Sequence, residues 1–147
     1  FDPKEITLSL TAEASGIALA SICALRFGVP MVFAKKAKSD NIEGGLYQSD
    51  IYSYTYQKKV TLIASKDWIK STDKVLIVDD FMANGEAMRG LCDIVKEAGA
   101  ELKGIAIAIE KGFQHGGDKL REAGMPIKSL AIIDKADENG FVFREDD

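Results

Sequence analysis

Two adjacent carboxylates, Asp79 and Asp80, stand where the apolar run 75–78 (VLIV) breaks off, and a small-residue loop of Ala83, Asn84, Gly85, Glu86 and Ala87 follows. Paired acids at the end of a buried strand can accept hydrogen bonds from vicinal hydroxyls. They can also hold a hydrated cation; Mg²⁺ commonly keeps several waters and bridges carboxylates to phosphates. A loop of small residues that feeds a helix N-terminus offers backbone amides and a partial positive charge to a phosphate. Together the two features suit a phosphorylated sugar. The plainer use of either acid is to cap the next turn, but at least one of them falls at the ligand end of a strand.

Three further polar segments follow apolar strands. Residues 13–16 (EASG) can supply amides and the Ser15 hydroxyl to a second phosphate, or simply cap a helix at Ser15. Lys35, Lys36 and Lys38 can neutralise a polyphosphate leaving group or form a solvated basic face. In 110–117 (EKGFQHGG), Lys111 can donate to a carbonyl oxygen and Phe113 can stack on a flat ring. His115, the sole histidine, has no obvious partner in the sequence and reads as incidental. No P-loop and no dinucleotide-binding glycine pattern is present, and no cluster of His and Cys suggests a transition-metal site.

These residues need a scaffold, and the chain has one of ordinary size: 147 residues, 46% apolar, net charge −4. Such a length suits one domain, 1–147. The acidic balance speaks against nucleic acid as a partner. No stretch is long and apolar enough for a membrane-spanning helix, so no membrane partner is expected, and a cytoplasmic location is. Cys23 and Cys92 are isolated and read as small core residues. Patterning predicts strands at 5–10, 29–34, 51–56, 60–64, 75–78, 102–109, 127–133 and 140–144, with helices at 16–27, 86–98 and 118–123. Residues 51–64 read as a hairpin turning at 57–59, and 35–50 as a long mobile loop. The expected fold class is α/β: a mostly parallel central sheet with helices on both faces, plus a mobile hairpin and loop. Ligands of such sheets bind at the carboxyl ends of the strands.

The segment VLIVDDFMANGEA resembles the phosphoribosyl pyrophosphate (PRPP) motif of type I phosphoribosyltransferases. EASGIALA resembles the pyrophosphate loop of that family, and VPMVFAKK its second strand with trailing basic residues. IAIAIEKGFQHGG resembles the base-side segment of one subgroup, the xanthine phosphoribosyltransferases. The likeness runs from about residue 6 to residue 143. It implies that Asp79 and Asp80 face the ribose hydroxyls and, through water, Mg²⁺. Ala83, Asn84, Gly85, Glu86 and Ala87 would wrap the 5′-phosphate. Ala14, Ser15 and Gly16 would meet pyrophosphate together with Lys35. Lys111 would contact an exocyclic oxygen of the purine, with Phe113 near the ring, and 35–50 with the following hairpin would form a hood.

The commoner family loop has Thr-Gly-Gly-Thr where this chain has Asn84, Gly85, Glu86 and Ala87. A carboxylate at 86 is compatible with a bound phosphate if its side chain points outward. The chain opens at Phe1 and enters its first strand almost at once, so the family's N-terminal hood segment is expected to be missing here. The resemblance implies transfer of a phosphoribosyl group from PRPP to a 6-oxo purine, most of all xanthine, by a Mg²⁺-dependent homodimer. Two alternatives share the same residues: a phosphoribosyltransferase for adenine, hypoxanthine or guanine, and a PRPP-binding purine regulator.

Overall fold

Val75, Leu76, Ile77 and Val78 are apolar on both faces of a strand, so each face must be covered. In the computed structural model, which describes residues 1–37, 44–53 and 57–145, this is achieved by one helix on each side. The elements run β1 (Leu8–Ala12), α1 (Gly16–Phe27), β2 (Met31–Ala37), β3 (Leu46–Ser53), β4 (Lys58–Ser65), β5 (Lys74–Met82), α2 (Glu86–Glu97), β6 (Glu101–Lys111), α3 (Gly116–Glu122), β7 (Ile127–Asp137) and β8 (Gly140–Phe143). They build an eight-stranded sheet of order β3-β4-β2-β1-β5-β6-β7-β8. The inner strands β2, β1, β5, β6 and β7 are parallel. The β3–β4 hairpin and β8 join antiparallel at the two edges. This is the α/β class that the patterning implies.

Alternate residues of β5 divide the core. Leu76 and Val78 pack with Ala20 of α1 and with Ile6. Val75 and Ile77 pack with Leu91, Ile94 and Val95 of α2. α1 spans the expected residues and ends at Gly28. Elsewhere the strands outrun their apolar patterns. β5 continues through both acids to Met82, because β6 stays beside it and pairs Asp79 with Ile107 and Phe81 with Ile109. β7 reaches Asp137 because β8 folds back on it. The first strand begins at Leu8, after a short turn at Pro3–Glu5 capped by the Asp2 carboxylate.

The long loop expected at 35–50 is much shorter. Lys35, Lys36 and Ala37 extend β2 by pairing with Ile63, Leu62 and Thr61 of β4, and residues 46–50 belong to β3. Polar side chains are carried into strand there by a partner whose own sequence is apolar. Lys38 and residues 54–56 lie outside the described residues; Lys58 and Lys59, expected in the turn of the hairpin, belong to β4, where they pair with Ser53 and Tyr52. No helix among the described residues is long and apolar enough to cross a membrane.

Candidate functional site

At the carboxyl ends of β1 and β5, two loops meet. The Ser15 hydroxyl donates to Asp80 Oδ1 at 2.9 Å, and the Asp80 N–H donates to Asp79 Oδ1 at 2.9 Å. The loop after β1 is thus tied to the acids after the apolar core of β5. A side chain at residue 16 would run into Thr11 Oγ1 and Asp79 Oδ1, so only glycine lets α1 start this close to the carboxylate. Thr11 Oγ1 is the one buried side-chain polar atom without a hydrogen-bond partner among the described residues. Glu13 accepts the Lys36 N–H at 2.7 Å, which fastens the same loop to β2; the Glu13–Ala14 peptide is cis.

Asp79 is buried, 8% exposed. Burial, reinforced by the neighbouring Asp80 carboxylate, pushes its carboxyl up to about 7, against the pull of the Lys36 charge. Successive residues of a strand face opposite ways, and here the two lysines part. The charge of Lys36 reaches Asp79. Lys35 lines a cavity of about 860 Å³ with Pro30, Phe33, Ile63 and Trp68.

The loop after β5 leads through Gly85 (φ +84°) into α2. Asn84 Oδ1 accepts the Glu86 N–H at 3.3 Å. The Glu86 carboxylate turns outward: it accepts from Arg89 at 3.1 Å and from the Tyr52 N–H at 3.3 Å. The hydrogen bond from Arg89 holds its pKa below the usual carboxylate range. Behind the loop, a Cβ on Gly116 would stand 2.5 Å from the Ala83 carbonyl oxygen and 2.6 Å from the Gly85 nitrogen. The segment after β6 is therefore packed backbone to backbone on the loop after β5, a contact that only glycine allows.

At the end of β6, the Lys111 ammonium lies 4.8 Å from the centre of the Phe81 ring, a cation–π contact. Phe81 and Phe113 are 42% and 40% exposed, large values for aromatic rings. Glu110, next to Lys111, is fully buried. It accepts two hydrogen bonds from Arg121, at 2.9 and 2.7 Å, and one from Ser129 at 2.6 Å. Burial alone would raise its carboxyl, but these bonds hold it below the ordinary value. Arg144 bridges Asp118 at 2.8 Å and Asp134 at 2.7 Å, and His115 meets Asp118 at 3.3 Å.

Acids, a first loop from β1, a second loop before α2 and the turn after β6 converge at one end of the sheet, and residues 4–145 match the family model described as the phosphoribosyl transferase domain. The chain belongs to the phosphoribosyl transferase family. A xanthine phosphoribosyltransferase of Lachnoclostridium phytofermentans is 51% identical over 148 residues, covering 99% of this chain and 76% of the relative. Another, from Bifidobacterium animalis subsp. lactis, is 52% identical, covering 93% of this chain and 72% of the relative. Among solved structures, an adenine phosphoribosyltransferase from Thermoanaerobacter pseudethanolicus is 28% identical with a TM-score of 0.73, covering 86% of this chain and 70% of that one. One from Rhodothermus marinus is 25% identical with a TM-score of 0.77, covering 88% and 71%.

In this phosphoribosyltransferase the structure brings together Asp79, Asp80, Ser15 and Gly16, and sets Ala83, Asn84 and Gly85 against the segment that follows Lys111. It sends Lys35 to another cavity. Three features of this end of the sheet are not marked in the sequence. Phe81 is hidden inside the acidic motif, where only its exposure marks it. The Glu110–Arg121 pair spans β6 and α3. His115 has a partner after all, Asp118 in the next helical turn, although its side chain is 70% exposed. Cys23 and Cys92 are half-buried free thiols, and burial raises both, Cys92 to about 11.

Proposed function

We propose that this enzyme transfers the phosphoribosyl group of PRPP to xanthine, giving the nucleoside 5′-monophosphate and pyrophosphate, as a purine-salvage homodimer in the cytoplasm. The observation that carries the reading is the hydrogen-bonded join of Ser15, Asp80 and Asp79. It puts a hydroxyl-binding acid pair directly between two loops that suit two phosphate groups. A purine nitrogen forms a bond to the anomeric carbon as the bond to the pyrophosphate oxygen breaks, and the proton of that nitrogen passes to water or to the departing pyrophosphate. The transition state is oxocarbenium-like, with charge growing on the leaving group. The protein's part is positioning and charge stabilisation.

Asp79 and Asp80 hold the ribose hydroxyls. The amides around Ala83, Asn84, Gly85, Glu86 and Ala87 take the 5′-phosphate. Ala14, Ser15 and Gly16 meet pyrophosphate, with Lys36 supplying positive charge on the acid side of β2. Mg²⁺ fits the donor set. Asp79 and Asp80 are adjacent carboxylates, the Thr11 hydroxyl is buried without a partner, and no group of three or more His, Cys, Asp or Glu among the described residues forms a full metal cage. That suits a cation that draws its other ligands from water and substrate phosphates. When bound, Mg²⁺ would neutralise charge on the departing pyrophosphate.

The base preference rests on Lys111. An ammonium donates and cannot accept, so it matches the carbonyl oxygens of xanthine and not the amino group of adenine. The relatives at about half identity are named for xanthine. Product analysis with PRPP, Mg²⁺ and each purine should show the highest kcat/KM for xanthine and only background turnover with adenine. Lys111→Ala should raise KM for xanthine roughly 10–100-fold, the range of one hydrogen bond from a charged donor, and leave the KM for PRPP nearly unchanged. Preferred turnover of adenine, or tight PRPP binding without product from any base, would sink the assignment.

A further inference from the structure

Resting on the proposed 5′-phosphate site, we infer that Arg89 is a positioning residue of that site: it draws the Glu86 carboxylate off the anion-binding loop and fastens it to the hairpin edge. Glu86 is the first residue of α2, two positions after Asn84. A free carboxylate there would oppose a phosphate dianion held by the same amides. Arg89 meets that problem with both ends of its guanidinium. Nη2 donates to Glu86 Oε2 at 3.1 Å and to the Asp50 carbonyl at 2.8 Å, while Nη1 donates to Asp93 at 2.9 Å.

The contact belongs to a longer ladder. Glu86, Arg89, Asp93 and Glu97 recur at helical spacing and share one face of α2. Along β3, the Tyr52 N–H donates to Glu86, the Asp50 carbonyl accepts from Arg89, the Ser49 hydroxyl donates to Asp93 at 2.7 Å and the Gln48 N–H donates to Glu97 at 3.0 Å. β3 is an edge strand, whose outward backbone groups need partners from outside the sheet. The ladder supplies them and ends at the loop proposed to hold phosphate. Glu86 is in this way consumed by β3 and Arg89, and the loop amides are left to the ligand.

The test is a charge-rescue pair read by calorimetry. Wild type should bind PRPP, ribose 5-phosphate and inorganic pyrophosphate. Arg89→Leu should weaken PRPP and ribose 5-phosphate about tenfold or more and leave pyrophosphate within about twofold, because pyrophosphate meets the other loop. Adding Glu86→Gln to Arg89→Leu should return PRPP affinity to within about threefold of wild type. Equal weakening of all three ligands, no weakening at all, or no rescue by Glu86→Gln would overturn the inference while leaving the proposed function standing. Failure of wild type to bind ribose 5-phosphate would overturn both. If Arg89→Leu does not fold, Arg89→Gln in the same two backgrounds gives the same comparison.

Discussion

Asp79→Asn should abolish most turnover and at the same time make the protein more stable above neutral pH. The carboxyl of Asp79 is raised from 3.8 to about 7 by burial and by the Asp80 carboxylate. A raised carboxyl pKa in the native state means that the native state binds more protons than the unfolded chain between those values. Stability contributed by this group therefore falls as pH climbs from about 4 to 7, and the full cost persists above 7. At 1.36 kcal/mol per unit, the ceiling on that cost is about 4 kcal/mol. An amide at 79 carries no charge to desolvate and still offers Oδ1 to the Asp80 N–H. Denaturant unfolding at pH 8 should show Asp79→Asn more stable by roughly 2–4 kcal/mol, with the gain shrinking towards zero near pH 4. Turnover should drop about 10²–10³-fold or more, the scale set by deleting one preorganised polar group at a reacting centre. Binding of Mg²⁺ and PRPP at pH 7 should also release more protons in wild type than in the variant. Retained activity, or equal stability at pH 8, would remove Asp79 from the centre of the site.

A carboxylate that costs stability in the resting protein is what a binding site stores for its ligand. The same logic explains Thr11, whose hydroxyl lies buried without a partner beside that carboxylate. Neither feature helps the fold, and both are packed against Gly16, in the loop proposed to meet pyrophosphate.

How much of this was legible in the sequence depends on how local the determinant is. The PRPP-like motif is contiguous, so the acids, the small-residue loop and the helix start could be read from residues 75–87 alone. The bounds of α1 are legible because its small, apolar stretch and its Gly28 stop are local signals. Strand ends were not legible, because a partner strand decides them. Nothing within 35–37 or 79–82 announces a strand, and only β4 and β6 make them so. The separation of Lys35 from Lys36 follows from that extension, since a loop imposes no alternation and a strand does. The orientation of Glu86 was posed by the sequence as a condition. Its answer needed Arg89 on the next helical turn and Tyr52 on a distant strand. Glu110 looked like one more polar residue of a surface segment, and its burial is set by β7 and α3, which the sequence places only afterwards.

That buried acid carries the second large effect. Arg121→Leu is expected to cost about 3 kcal/mol or more, because it strands a fully buried carboxylate with the Ser129 hydroxyl as its remaining partner. For a domain of this size that corresponds to a fall in Tm of roughly 6–12 °C. Glu110→Leu combined with Arg121→Leu should recover much of the loss, since removing both charges leaves nothing buried and unpaired. The pH dependence supports the same account. The native carboxyl lies below its ordinary 4.5, so the pair's contribution is complete above that value and is lost as pH falls through the depressed native pKa. The wild type should therefore lose its advantage over Arg121→Leu in acid, a comparison that thermal melts across pH can make. Function should fail in a particular direction as well. Glu110 precedes Lys111, and Arg121 belongs to the helix that follows the Phe113 turn. Loosening the pair frees the base-side turn while the acids and the first loop stay joined through Ser15 and Asp80. The expected kinetic signature in Arg121→Leu, measured well below its Tm, is a KM for xanthine raised several-fold more than the KM for PRPP. Equal increases in both would mean that the Glu110–Arg121 pair supports the whole sheet edge and not the base pocket in particular.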